Sequence, residues 1–154
     1  MSRVILALDP GTTEGARLAW DCDAEAIVEM GIDDNATLLD YLRRQTVATE
    51  VWCEWIASYG MPVGAEVFDT CRWIGRAEEV CASRGLPFHL VFRRSVKLHL
   101  CQSPKANDAN IRQALLDRYG PPGTKKAPGT LYGCKSHLWS ALAVAVTVGE
   151  GAGR

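Results

Sequence analysis

Two carboxylates stand where an isolated charge is expensive. Asp9 closes the apolar run Val4 to Asp9 in ILALDPGTTEG, and Glu54 lies inside the apolar run Val51 to Ala57, VWCEWIA. Both runs read as buried strands, where an unpaired ionised carboxylate costs several kcal/mol of desolvation. If the strands are neighbours, one hard cation compensates both side chains, because Mg²⁺ accepts oxygen ligands and keeps waters for chemistry. The competing reading gives each its own protein partner: a cap or salt bridge for Asp9, an arginine for Glu54.

The elements that must position these residues follow from turn signals and periodicity. Val4 to Asp9 ends at Pro10-Gly11-Thr12-Thr13 and predicts a first strand, with Ala16 to Trp20 and Ala26 to Ile32 as the next two. Asn35 can cap a helix carrying Leu38, Leu39 and Leu42, after which Val51 to Ala57 is the fourth strand. From Ala65, residues Val67, Cys71, Ile74, Ala77 and Cys81 recur at helical spacing until Gly85-Leu86-Pro87, and Phe88 to Phe92 is the fifth strand. Asn107 or Asp108 caps a helix bearing Ile111, Leu115 and Leu116. Gly123 to Gly129 reads as a mobile basic loop, and Ser136 to Val148 as a helix apolar nearly all round. The string βββαβαβαα predicts an α/β fold, a mixed five-stranded sheet with helices on both faces.

With 154 residues and 47% apolar composition, one domain spanning 1–154 is expected. No run of eighteen apolar residues occurs, and Met1 to Leu8 leads directly into Asp9 and Pro10, so a cytoplasmic chain with no membrane partner is expected. The six cysteines form no CxxC pair and sit mostly in apolar runs, which disfavours a zinc site or a disulfide framework. The net charge of −1 conceals a segregation: residues 1–71 carry 4 Lys/Arg against 13 Asp/Glu, and residues 72–135 carry 12 against 4. That pattern suits a basic surface for a polyanion beside an acidic, cation-holding region, unless the two parts interleave and cancel.

ILALDPGTT, the strand glutamate of CEWIASYG, the WIGRAEEV helix and the closing KSHLWSALAVAV occur in an order that resembles the RuvC family of Holliday-junction resolvases, particularly its phage members. The likeness runs over nearly the whole chain. The DxGTT element also opens the phosphate loop of actin-like ATPases and sugar kinases, but those need a second lobe that this length does not supply.

The resemblance implies a ribonuclease-H-like fold and a homodimer that binds four-way or other branched DNA and nicks two strands. It also implies Mg²⁺ or Mn²⁺, two ions about 4 Å apart, held by acidic side chains. Asp9 and Glu54 match the family's first two acidic positions, and His137 matches the third, where the family has Asp or His. The fourth is ordinarily an aspartate three residues further on, and here it is Ser140. A spacing of three keeps both side chains on one helix face while a charged ligand becomes a neutral hydroxyl, so metal affinity and cleavage should fall. Three explanations stand: an engineered inactivating substitution, a natural junction binder with reduced cleavage, or rescue by another carboxylate such as Asp108.

Arg93, Arg94, Lys97, Lys105, Arg112, Lys125, Lys126 and Lys135 make up most of the basic excess and are candidate phosphate contacts. Lys105 and Lys135 are the expected neighbours of the reacting phosphate, Lys105 in a catalytic role. Tyr59 and Met61, in the loop after Glu54, can stack on or wedge between unpaired bases. A second apolar set on the long helix, Phe68, Trp73 and Val80, suits a two-fold interface, with burial under a neighbouring helix as the alternative. Two further functions remain: a branched-DNA-binding protein without catalysis, and a related nuclease acting on RNA-containing or other branched substrates.

Overall fold

The computed structural model describes residues 2–153. Among the described residues ten elements follow one another: β1 (Val4–Asp9), β2 (Glu14–Asp21), β3 (Ala26–Asp34), α1 (Asn35–Arg44), β4 (Glu50–Trp55), α2 (Ala65–Ser83), β5 (Phe88–Phe92), α3 (Arg93–Cys101), α4 (Asp108–Tyr119) and α5 (Leu138–Gly149). The five strands form one mixed sheet in the order β3-β2-β1-β4-β5. β1, β2 and β3 pair antiparallel, whereas β4 lies parallel to both β1 and β5.

Alternation along the central strands divides the core in two. Leu6 and Leu8 of β1 join Val51 and Cys53 of β4 on the face covered by Leu38, Leu39 and Leu42 of α1 and by Trp73, Ile74 and Ala77 of α2. Ile5, Ala7 and Trp52 face the other way, against α5 together with Val96, Ile111 and Leu115 of α3 and α4. α5 is apolar on all sides because it is the central helix of that layer, with every residue from Ala141 to Val148 buried. A fully buried leucine there, such as Leu142, contributes about 1.5–3 kcal/mol by removal from water.

Several sequence expectations need correction. The helix string is one longer than predicted, because α3 follows β5 without a break: Phe92 is its N-cap and offers no capping side chain. Asp34, not Asn35, caps α1, accepting from the Thr37 amide at 2.8 Å. Asn35 instead donates its side-chain amide to the carbonyls of Gly11 and Thr12, at 3.1 and 2.9 Å, tying the turn after Asp9 to α1. That turn is tight enough that a Cβ on Gly11 would lie 2.5 Å from the Glu14 carbonyl oxygen. β4 ends at Trp55, leaving Ile56 and Ala57 outside the sheet.

The segment expected to be a mobile basic loop is a closed turn. Thr124 and Ala127 exchange backbone hydrogen bonds at 3.1 Å each, with Lys125 and Lys126 at the tip. The second apolar set on α2 does not form a free stripe either. Trp73 is buried, with its indole N–H donating to the Asn35 carbonyl at 3.0 Å, and Val80 packs against the α1/α2 core. Phe68 alone of the three is open to solvent, at 66% exposure.

Candidate active site

Parallel pairing brings Asp9 and Glu54 together. The register places Leu8 beside Cys53, so the next residues along, Asp9 and Glu54, are neighbours at the C-terminal ends of two adjacent parallel strands. Odd positions of β1 and even positions of β4 face α5, so both carboxyls emerge on one side of the sheet. This edge is where α/β sheets gather their ligands. His137, the residue preceding α5, reaches the same point, its Nδ1 3.2 Å from Asp9 Oδ2.

Each carboxylate has the partner that the structural reading required. His137 pairs with Asp9, and Arg93 Nη1 donates to Glu54 Oε1 at 3.3 Å. The compensation is incomplete. The side chains of Asp9 and Glu54 are only 13% and 12% exposed. Burial pushes Glu54 up to about 7, with the charge of Asp9 raising it further and Arg93 opposing. Burial likewise holds Asp9 above the ordinary aspartate value in spite of His137 and Arg93. Arg93 is moreover shared, since its Nη2 pairs with Asp108 at the start of α4.

An undercompensated pair of hard oxygen donors fits a divalent cation as two of its ligands. Among the described residues no group of three His, Cys, Asp or Glu side chains converges as a preformed metal site. Ser140 lies in the first turn of α5, its N–H donating to the His137 carbonyl at 3.1 Å.

Two clefts flank the pair. The first is lined by Glu54, Tyr59, Arg93, Arg94 and Lys97, with Trp55 and Pro104. Tyr59 reaches it from a tight turn in which Tyr59 and Gly60 both have positive φ and the Met61 amide donates to the Ser58 carbonyl at 2.9 Å. Met61 sits at the end of that turn, exposed. The second cleft is lined by Asp108, Arg112, Lys135, His137, Trp139 and Ser140, with the Arg112 guanidinium 4.8 Å from the centre of the Trp139 ring.

Six of the expected DNA contacts, Tyr59, Arg93, Arg94, Lys97, Arg112 and Lys135, therefore line the two clefts around the carboxylates, together with His137, expected as a metal ligand. Lys105 lines a separate groove between α3 and α4, with Asn110, Gln113 and Asp117, that contains none of the acidic pair. Lys125 and Lys126 project from their turn outside both clefts. The sequence offered an arginine as the alternative partner of Glu54 without identifying it, and Arg93 was expected among the phosphate contacts. Only the position of Arg93 directly after β5, next to β4, signalled this pairing.

The fold is ribonuclease-H-like, of the type found in RuvC. It superposes on the Thermus thermophilus RuvC structure with a TM-score of 0.68 at 20% sequence identity, covering 94% of this chain and 92% of that one. The structure of T. thermophilus RuvC in complex with Holliday junction substrate matches with the same score, identity and coverage. No protein-family model matches the sequence, and no curated protein matches it.

Proposed function

We propose that this chain is a divalent-metal-dependent endonuclease that binds and nicks branched DNA, four-way junctions foremost. The observation that carries the reading is the pair of buried, undercompensated carboxylates on adjacent parallel strands, set between two clefts lined by basic side chains. Asp9 and Glu54 are the ion ligands, with His137 and Ser140 completing the set from the start of α5. Bound Mg²⁺ or Mn²⁺, as one or two ions, supplies a lowered pKa for the attacking water and charge stabilisation at the leaving oxygen.

The protein's own groups then bind and orient. Arg94, Lys97, Arg112 and Lys135 hold backbone phosphates on either side of the scissile position, and Lys125 and Lys126 extend that track. Tyr59 and Met61 meet bases that the branch leaves unpaired. In the ion-free chain Asp9 holds the ring of His137 through Nδ1, which poises it beside the ion position. Lys105, in its separate groove, is reassigned from catalysis to a distal phosphate contact. The structure of T. thermophilus RuvC in complex with Holliday junction substrate supports the choice of substrate. A homodimer acting in the cytoplasm, with two centres related by a two-fold axis, suits a substrate with two equivalent strands.

Ser140 favours one second reading, a branched-DNA binder with little or no cleavage, because a hydroxyl stands where a carboxylate would add charge to the ion site. Nicking of a synthetic four-way junction in Mg²⁺ and in Mn²⁺ separates the two. The nuclease reading expects cleavage that rises about tenfold or more in Ser140→Asp and disappears in Asp9→Asn, taking removal of one charged group as worth at least one decade in rate. Tight, junction-selective binding with no cleavage in either the original chain or Ser140→Asp would establish the binder. Parallel assays on three-way, flap and RNA–DNA hybrid substrates define the range.

A further inference from the structure

Arg93 begins α3 and reaches across the sheet edge to two carboxylates of very different cost. Nη1 contacts Glu54, which is 12% exposed, and Nη2 contacts Asp108, which is 80% exposed. The planar guanidinium engages both through separate nitrogens. Pairing with the solvated Asp108 is a weak surface interaction, whereas pairing with Glu54 neutralises a desolvated charge. A divalent ion on Glu54 removes the reason for the second contact and repels the guanidinium, leaving the first as its resting place.

We propose that Arg93 is the built-in counter-cation of this site: it holds Glu54 while no ion is bound and withdraws onto Asp108 when a divalent ion takes that carboxylate. The inference rests on the reading of Asp9 and Glu54 as ion ligands. Competition of this kind weakens ion binding in the free chain, and the neutral Ser140 accentuates it by leaving two carboxylates to attract the ion. Asp108 acts here as a positioning residue for Arg93. It lines the same cleft as His137 and Ser140, which gives the displaced guanidinium somewhere to go beside the ion site.

Calorimetric titration of Mn²⁺ into the full chain without DNA tests this, using the original protein, Arg93→Gln, Asp108→Asn, the double variant and Glu54→Gln. Thermal melts by circular dichroism verify folding, and Arg93→Met replaces Arg93→Gln should the latter fail to fold. Arg93→Gln should bind Mn²⁺ about tenfold tighter and Asp108→Asn about threefold weaker, while the double variant should match Arg93→Gln, since nothing is left for Asp108 to anchor. Unchanged or weaker binding in Arg93→Gln overturns the proposal. So does an equal loss from Asp108→Asn with and without Arg93, which would make Asp108 a direct ligand. Failure of the underlying ion-site reading has a different signature, absence of Mn²⁺ binding in every variant or binding that Glu54→Gln leaves intact, and that result discards both.

Discussion

Glu54 shows most directly what a buried carboxylate costs the fold. Its pKa rises from an ordinary 4.5 to about 7, through burial first and the charge of Asp9 second. Such a group binds more protons folded than unfolded between those two values, so its own contribution to ion-free stability is fully present below about pH 4.5 and is lost as pH climbs through the folded pKa. Glu54→Gln should remove most of that decline and stabilise the ion-free chain near pH 8 by about 1–3 kcal/mol. Urea unfolding in chelator at acid and alkaline pH measures it, and an unaltered decline in the variant would contradict the assignment. Asp9 and Glu54 were legible in the sequence because a charged residue closing VILAL, or lying within the otherwise apolar run VWCEWIA, violates the burial pattern. Arg93 was legible only as a positive charge, since its partners Glu54 and Asp108 lie 39 and 15 residues away and meet it through strand order.

Among the elements, those with strong periodicity and clear stops were readable in advance. β1, β5 and α2 lie close to where Val4–Asp9, Phe88–Phe92 and the Val67 to Cys81 spacing from Ala65 put them, and α5 follows from its apolar run. α3 was hidden because RRSVKLHLC abuts β5 with no Gly, Pro or capping side chain between them, so only the four-residue spacing of Val96 and Leu100 betrays a helix. The turn at Gly123 to Gly129 misled because Gly, Thr, Lys and Pro read as flexible composition, while the backbone uses them for close approach. Gly123 has φ +77, and a Cβ there would lie 2.4 Å from the Ala127 carbonyl oxygen. Gly123→Ala should therefore destabilise the protein by about 1–3 kcal/mol, seen as a lower thermal midpoint. A change within about 0.5 kcal/mol, the usual range for surface positions, would restore the mobile-loop reading.

For the molecule as a whole, strand order decides what the charge segregation means. The acidic first part supplies β3, β2, β1 and β4 with α1, whereas the basic part supplies β5 at the opposite edge with α3 and α4. α3 and α4 nevertheless pack over the β1/β2 face, so the two parts share one core layer, while Arg94, Lys97, Arg112 and Lys135 of the basic part line the clefts beside the Asp9–Glu54 pair. Junction affinity should accordingly fall steeply with salt, with a log–log slope of about −3 or steeper for four or more phosphate contacts. Lys125→Ala with Lys126→Ala should reduce its magnitude by about 1–2 without altering branch preference. Filter binding across a salt series reads both quantities, and an unchanged slope would place that turn outside the interface. The proposed dimer rests on substrate symmetry more than on α2, where Trp73 and Val80 are already committed to the core and Phe68 alone of the three faces solvent. Light scattering on the junction complex should give two chains per junction.

The central claim is that Asp9 and Glu54 share a divalent ion, and anomalous diffraction from crystals soaked in Mn²⁺ addresses it without reliance on turnover. The account predicts an anomalous peak between the two carboxyls, about 2.0–2.3 Å from an oxygen of each, as for small hard cations on oxygen ligands. An empty position there, with Glu54 still held by Arg93 in Mn²⁺ concentrations that saturate other carboxylate sites in the crystal, would contradict it.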